Sequence, residues 1–259
     1  MYCSTAVPEE VFGEGTKMLA LFYKVVNELM PGAWKLNQQI KDCWQPNALS
    51  HDWILPDNFH VKIKVMKQLR EDFAAMGNVH TLVRMVNQCL KESRSLPANL
   101  VHSIDGMLVR ELIRRCNYNP ETIQKVIDAL KSTHKGTSTK DDQMVITLWQ
   151  NYQYSGFLSA RILDHLNRSN MGHVDAAVII KLINSLPKKP FKVLSVHDCF
   201  RVLPNYGNDL RKQYNLLLSH LARSNILSDI VTQITGRQTP VTKINDIADE
   251  ILESNYALS

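Results

Sequence analysis

The spacing of apolar residues changes along the chain from a helical period to a strand period and back. Apolar side chains recur every three or four positions in 16–30, which predicts a helix that ends at Pro31. The same period predicts a second helix over about 34–44. Apolar and polar residues then alternate in 59–65, which indicates a strand, and the breaker residues at 56–58 predict a turn before it.

The segment after this strand is compatible with two structures. Alternation resumes in 79–85 after Gly77-Asn78, a dipeptide that suits a tight hairpin turn, so residues 59–88 are predicted to be hairpin-like. Apolar residues in 66–91 also fall on one helical face, and a helix remains the alternative there.

Helices dominate the second half of the pattern. Asn119 and Pro120 have the residue types of an N-cap and a first helical position, which predicts a helix start. Polar residues in 132–142 predict an exposed loop, and 192–203 has the composition of two short strands. Further helices are predicted over 143–168, 174–186, 207–223, 225–235 and 242–253. The expected fold class is mostly α with small β elements (α+β).

Composition narrows the class of protein only modestly. The 259 residues include 44% hydrophobic and 21% charged side chains, which is ordinary for a globular protein with a core. The net charge of +5 permits polyanion binding without establishing it. The five cysteines show no CxxC spacing, so neither a zinc site nor a disulfide framework is indicated. Neither a signal peptide nor a membrane span is recognised, and we expect a cytoplasmic protein without membrane contact.

One apolar run carries an ionisable pair at its centre. The sequence KVLSVHDCFRVLP, residues 192–204, reads as two buried strands linked at His197 and Asp198. An aspartate in such a link is an ordinary turn residue. The functional alternative is a carboxylate held rigidly to bind Mg²⁺, a cation that prefers oxygen ligands.

A second candidate lies in 95–115. His102 and Asp105 are expected just before an amphipathic helix that carries Leu108 and Leu112. Ser103 or Asp105 would then cap that helix, and His102 would be either a satisfied core histidine or a functional group.

Taken in order, these and other short motifs resemble the C-terminal part of phage-type (mitochondrial-type) single-subunit DNA-directed RNA polymerases. PANLVHSIDG, 97–106, is similar to that family's Pro-x-Asn-apolar-apolar-His-Ser-x-Asp element, and VHDCF, 196–200, to its His-Asp-Ser-Phe motif. HDWILPDNFHV, 51–61, resembles a fingers segment, ILESNYALS resembles the family's terminus, and MYCST resembles the Tyr-Gly-Ser that closes a fingers helix.

The resemblance implies the C-terminal fingers and palm portion of a right-hand-shaped polymerase, with a palm hairpin carrying the catalytic aspartate. Residues 1–96 would form the end of the fingers, including the hairpin-like region 59–88. Residues 97–115 and 191–259 would form palm, and 116–190 would be a helical insertion.

Roles follow from the same resemblance. Asp198 would be the catalytic metal ligand. His197 would lie near the primer end, and packing in the strand turn is its equal alternative. His102 would approach the newest base pair from the minor groove, and Tyr2 would help to select ribonucleotides. The hairpin-like region would contact DNA through a set of basic residues, and a solvated basic face is the alternative for each of them: Lys62, Lys64, Lys67, Arg70 and Arg84.

The chain holds only one of the family's two catalytic aspartates. Two-metal nucleotidyl transfer needs two Mg²⁺ ions, and one carboxylate cannot supply the ligands of both. We therefore expect a second polymerase polypeptide that supplies the N-terminal part, the thumb and the remaining palm and fingers. The other partners implied are the DNA template, nascent RNA and ribonucleoside triphosphates.

Two other functions stay open. The mild basicity suits a non-catalytic helical subunit that binds nucleic acid or acts in assembly. The pairs His51-Asp52 and His197-Asp198 suit a metal-dependent phosphohydrolase, although such enzymes usually draw these ligands from helices and both pairs border strand-like runs.

Overall fold

The computed structural model describes residues 6–91, 95–132, 142–196 and 199–255. Its helices are α1 (Ala6–Phe12), α2 (Lys17–Leu29), α3 (Pro31–Asp42), α4 (Ser95–Cys116), α5 (Pro120–Lys131), α6 (Asp142–Ser155), α7 (Ala176–Asn184), α8 (Gly207–Arg223), α9 (Ile226–Thr235) and α10 (Ala248–Glu253). Short 3-10 turns lie at Ala160–Asp164, Met171–His173 and Pro204–Tyr206.

Six strands form three antiparallel pairs in the described part of the chain. They are β1 (Ser50–Ile54) with β2 (His60–Lys64), β3 (Lys67–Ala75) with β4 (Asn78–Val86), and β5 (Leu194–Val196) with β6 (Cys199–Arg201). The mixture of many helices and small two-stranded sheets confirms the α+β class. It also decides against the helical alternative for 66–91.

Local capping explains why several helix starts were predictable. Thr16 accepts a hydrogen bond from the Leu19 N–H and begins α2, and the Asn119 side chain accepts one from Glu121 and begins α5. Pro31 both follows α2 and occupies the first turn of α3, where its missing N–H costs nothing.

The helix predicted over 143–168 is wrong beyond Ser155. Gly156 follows α6 with φ of 71°, a left-handed conformation that glycine adopts without steric cost. The chain continues from there as a turn and a 3-10 segment. The helix predicted over 242–253 is limited to α10.

The chain divides into two compact units. The first comprises Met1–Trp53, Val61–His102 and Gln233–Gly236, and the second comprises Ile54–His60, Ser103–Thr232 and Arg237–Ser259. In the first unit, Trp44 is buried and donates its Nε1–H to the Leu90 carbonyl at 2.7 Å. The ring of His51 packs on Trp44, with 4.5 Å between centroids.

The second unit contains a helical block with its own core. Residues from α5, α6, the 3-10 turn at Ala160–Asp164 and α7 pack into one buried apolar cluster around Val126, Leu148 and Ile179. Burying several large aliphatic side chains in this way stabilises the block by roughly 1.5–3 kcal/mol for each fully buried side chain.

A network of buried charges joins α4 to the turn at 55–59. Asp57 is buried, and its carboxylate accepts hydrogen bonds from Arg110 Nε at 2.7 Å, Arg110 Nη2 at 3.2 Å and Arg114 Nη1 at 3.0 Å. Burial alone would raise the pKa of Asp57, but the hydrogen bonds and charges of both arginines outweigh it and lower that pKa. Asp57 is therefore ionised and fixed between two guanidinium groups.

Glu111 extends the same network toward the helical block. Its buried carboxylate accepts hydrogen bonds from Arg114 Nη1 at 2.8 Å, from the Ala160 N–H at 2.8 Å and from the Ser159 hydroxyl. The buried Arg115 places its Nε 3.8 Å from Glu111 Oε2, close enough for charge attraction but too far for a hydrogen bond. Glu111 thus satisfies groups from two separate parts of the chain.

Removing this carboxylate is expected to destabilise the protein strongly. Glu111→Ala leaves the buried Arg115 without its nearest counter-charge and should lower the free energy of unfolding by about 3–5 kcal/mol. Urea denaturation measures the change.

Glu28→Ala is the matched control, because Glu28 forms an exposed pair with Lys24 at 3.9 Å and its loss should cost less than about 1 kcal/mol. Equal stability losses in the two variants would contradict a structural role for the buried network.

Candidate functional site

The strands β5 and β6 flank the ionisable pair singled out in the sequence. They pair antiparallel, with Val196 opposite Cys199, Ser195 opposite Phe200 and Leu194 opposite Arg201. His197 and Asp198 lie outside the described residues, as does Tyr2. The strand assignment on both sides of the pair is confirmed.

The expectation that this run is buried is wrong for most of it. Leu194 is 56% exposed and Val196 is 61% exposed, whereas Val193 just before them is buried. Two strands of three residues form this sheet in the described chain, so no third strand from that part covers its apolar side chains. Such a small sheet is marginally stable by itself.

Contacts before and after the β5–β6 strand pair hold these strands to other parts of the second unit. The Phe191 N–H donates to the Cys116 carbonyl at 2.7 Å, at the end of α4. The Phe191 ring stacks on Tyr206, with 4.6 Å between centroids and 10° between planes. Phe200 of β6 contacts the Tyr214 ring of α8 at 5.7 Å. Aromatic contacts thus fix the strands at positions before and after the ionisable pair.

Cys116 at the end of α4 and His220 on α8 have shifted pKa values. Burial raises the pKa of the Cys116 thiol to about 12, so this thiol is inert as a nucleophile. Burial also lowers the pKa of His220 to about 4, and the charges of Arg115, Lys181 and Arg223 add to that effect. Both groups are neutral at pH 7 and act as packing residues.

His102 and Asp105 do not precede the helix as predicted, because α4 begins at Ser95 and contains both. The buried residues Leu96, Leu100 and Ile104 recur every four positions and extend the apolar face toward the N-terminus. His102 and Asp105 are three positions apart on the exposed side of α4. Neither residue acts as an N-cap.

Basic residues proposed to contact DNA lie on exposed strands of the first unit. Lys62 and Lys64 are two apart in β2, so they share its exposed face. Lys67 and Arg70 lie in β3 and are exposed. Because they are three positions apart, Lys67 and Arg70 face opposite sides of β3, unlike the two lysines of β2.

Arg84 is exposed on β4 but already has a partner within the hairpin. Its Nη2 lies 2.6 Å from Glu71 Oε1 across the β3–β4 pair. Both side chains are about half exposed, so water weakens this pair. Arg84 is consequently the least available of the five basic residues for a phosphate.

The pair His51-Asp52 does not form one site. Adjacent residues of β1 face opposite sides, with His51 buried and Asp52 exposed. His51 Nε2 accepts a hydrogen bond from the Gln45 N–H at 3.3 Å, and Asp52 Oδ2 accepts one from the Ser50 hydroxyl at 2.7 Å. These contacts remove the local basis for a phosphohydrolase centre at this pair.

Metal ligands are not assembled elsewhere in the described ranges. No group of three or more His, Cys, Asp or Glu side chains in 6–91, 95–132, 142–196 or 199–255 is arranged to hold a metal ion. No helix in these ranges is long and apolar enough to cross a membrane.

The sequence reasoning missed the ionic roles of Asp57, Arg110, Glu111 and Arg114. The available signal was RELIRR at 110–115, where opposite charges three and four positions apart share a helix face. Asp57, the partner of Arg110 and Arg114, is more than fifty positions away from both and leaves no local pattern.

His220 makes stability depend on acid pH. Its pKa is about 4 in the folded chain and about 6.5 when unfolded. Between these values the unfolded chain binds a proton that the folded chain does not, so stability present above pH 6.5 falls as pH drops toward 4. The loss from this residue is on the order of 3 kcal/mol.

Urea denaturation of wild type and His220→Gln at pH 7, 5.5 and 4.5 measures this contribution. The variant should lose less stability than wild type between pH 7 and 4.5. Identical losses would show that His220 does not titrate in this window.

No protein-family model matches the chain, and no curated protein matches it either.

Proposed function

We propose that this chain is one part of a DNA-directed RNA polymerase and joins ribonucleotides on a DNA template after binding a second polypeptide. The observation that carries the proposal is the β5–β6 pair, whose partners Val196 and Cys199 flank the His-Asp sequence. The ordered resemblance of five short motifs adds to it. In this proposal Asp198 binds Mg²⁺, and His197, His102 and Tyr2 lie near the nucleotide or the hybrid.

The chemistry explains why an aspartate would be kept between two paired strands. Nucleotidyl transfer needs two Mg²⁺ ions about 3.5–4 Å apart, which stabilise charge on the attacking and leaving oxygens. A metal site of this kind requires its ligands to be held in a fixed position. The described residues supply no further ligand set, so the remaining ligands are assigned to the second polypeptide.

The exposed sheet is the surface proposed to receive that polypeptide. Leu194 and Val196 expose apolar area, and the short β5–β6 sheet has free backbone edges in the described chain. A strand from the second polypeptide would pair with an edge and cover these side chains. The same contact would bring a second acidic residue toward Asp198.

The basic strands supply the proposed contact to DNA. Lys62 and Lys64 share an exposed strand face, and Lys67 and Arg70 follow in the next strand. Phosphate contacts of this kind position a duplex without reading its sequence. Arg84 contributes less because Glu71 neutralises it.

A non-catalytic nucleic-acid-binding subunit is the second candidate. It is favoured by the same exposed lysines, which bind polyanions whether or not catalysis occurs in this chain. If the variant without Asp198 assembles with the second polypeptide but loses RNA synthesis, catalysis is favoured. If it assembles and keeps synthesis, the non-catalytic function is favoured.

Asp198→Ala is the direct test of catalysis. Reconstituted with the second polypeptide, DNA template, four ribonucleotides and Mg²⁺, the variant should lose RNA synthesis by at least about a thousandfold, since metal ligands supply several kcal/mol of transition-state stabilisation. Primer-independent incorporation of labelled ribonucleotides measures the rate.

Asp128→Ala is the matched control, because Asp128 is an exposed helical aspartate bonded to Gln124 and should leave synthesis unchanged. Asp198→Ala must also keep its assembly with the partner and its affinity for DNA. Synthesis at the wild-type rate in this variant would remove Asp198 from the catalytic centre.

A double variant tests the proposed DNA contact. Lys62→Ala/Lys64→Ala should weaken duplex binding for all sequences alike and reduce the slope of log K against log salt by about 2. Fluorescence anisotropy over a series of salt concentrations gives this slope. Lys125→Ala is the control, an exposed lysine on α5, and a double variant that matches it would place the DNA contact elsewhere.

A further inference from the structure

The second unit contains a pocket of about 260 Å³ where the end of α4 meets the start of α5. All of its lining residues belong to that unit, and they come from α4, α5, the 3-10 turn at Ala160–Asp164 and the segment after α7. Its volume is near the lower end of the range for pockets that hold organic ligands, about 300–1,000 Å³. The pocket therefore suits a single ring system rather than a whole nucleotide.

Apolar side chains form one part of the pocket wall. Ile123 of α5, Leu163 of the 3-10 turn and Leu186 after α7 all line it. Leu163 belongs to the buried core of the helical block, and Ile123 and Leu186 pack against that core. Because the core holds these side chains in place, they offer a fixed apolar surface on which a flat ring can lie.

Asp164 supplies a carboxylate to the same pocket. It ends the 3-10 turn and is open to solvent. No described residue donates a hydrogen bond to this carboxylate. Partial burial raises the pKa of Asp164, although the charges of His165, Arg114 and Arg161 oppose the increase. A carboxylate with free oxygens and a shifted pKa in a concave site is available to accept hydrogen bonds from a ligand.

Arg114 and Asn119 supply donors to the pocket. Arg114 donates to Asp57 and Glu111 through Nη1, and no hydrogen bond to a described residue uses its Nε or Nη2. The Asn119 Oδ1 accepts the N–H that caps α5, which leaves the N–H donors of its amide without a described partner. The pocket thus contains one group that only accepts hydrogen bonds and others that have donors to offer.

The charges around the pocket favour a neutral ligand. A cation at Asp164 would lie close to Arg114 and Arg161, whose positive charges already act on that carboxylate. An anion at Arg114 would meet the carboxylates of Asp164 and Glu111. Arg114 and Asp164 do not form an ion pair with each other, so a neutral molecule can bridge them with donors on one edge and acceptors on another.

We propose that this pocket binds a guanine base, with Asp164 accepting hydrogen bonds from N1–H and the 2-amino group, and Arg114 and Asn119 donating to O6 and N7. Guanine carries O6 and N7 as neighbouring acceptors and an amino donor at N2. Of the four bases, guanine alone has two adjacent N–H donors on one edge, which match the two oxygens of one carboxylate. The inference goes beyond the proposed function and does not depend on it.

Asp164→Asn tests the pairing at the base. Asparagine has nearly the same shape as aspartate but replaces one acceptor oxygen with an amide that faces a guanine donor. Since Asp164 receives no hydrogen bond from a described residue, the variant should keep its Tm within about 2 °C of wild type. Asp128→Asn is the matched control, because Asp128 is an exposed aspartate of α5 that bonds to Gln124 and does not line the pocket.

The probes are guanosine, inosine and adenosine, titrated into the full chain by isothermal calorimetry. They carry no phosphate, so basic residues elsewhere do not contribute. Wild type and Asp128→Asn should bind guanosine with a Kd below about 0.1 mM, as the size of a nucleoside allows. Inosine, which lacks the 2-amino group, should bind at least about tenfold more weakly. Adenosine has no hydrogen on N1 and should not bind detectably. Asp164→Asn should lose at least about tenfold in affinity for guanosine.

Three results would overturn the proposal. They are absence of guanosine binding to wild type, equal affinities of wild type for guanosine and inosine, and unchanged guanosine affinity in Asp164→Asn. The comparison of nucleosides uses wild type alone, so it decides the matter whatever the stability of the variant. The titrations contain no DNA, Mg²⁺ or second polypeptide, so their result and that of the Asp198→Ala test are independent.

Discussion

The attraction between the arginines of α4 and two buried carboxylates is the constraint on which the second unit depends. Arg110 and Arg114 are one helical turn apart and both reach Asp57, while Glu111 between them turns to Ser159 and Ala160. Each guanidinium must point toward its carboxylate to form these hydrogen bonds, so the network fixes the rotation of α4 about its own axis. An apolar contact of equal area would tolerate rotation more easily.

That fixed helix sets the position of the candidate site. The last residue of α4, Cys116, accepts the hydrogen bond from Phe191 that brings the chain to β5. Arg115, one residue earlier, is buried and lies near His220 of α8, the helix that contacts Phe200. A charge network in the interior and a strand pair at the surface are thus connected through the final turn of one helix.

Sequence patterns predicted the features that depend on adjacent residues, and they failed for the contacts and burial that depend on residues distant in the sequence. The cap at Asn119 and the β3–β4 hairpin follow from a few adjacent residues, although the turn predicted at Gly77-Asn78 is wrong by one position and lies at Met76-Gly77. The early start of α4 could have been predicted by extending the apolar helical spacing toward the N-terminus past Pro97. Glu111 bonds to Ser159, which is 48 positions away in the sequence. The exposure of Leu194 depends on whether another part of the fold packs over it. Neither leaves a signal in a short window.

The short β5–β6 sheet also bears on how the chain behaves during synthesis in a cell. Strand edges that no other described strand pairs with, beside exposed leucine and valine side chains, can accept an extended segment, including the same strands of another copy. Self-association of this kind rises with the concentration of free chain. If the proposed second polypeptide covers this sheet, its synthesis at the same time and in equal number would suppress this self-association.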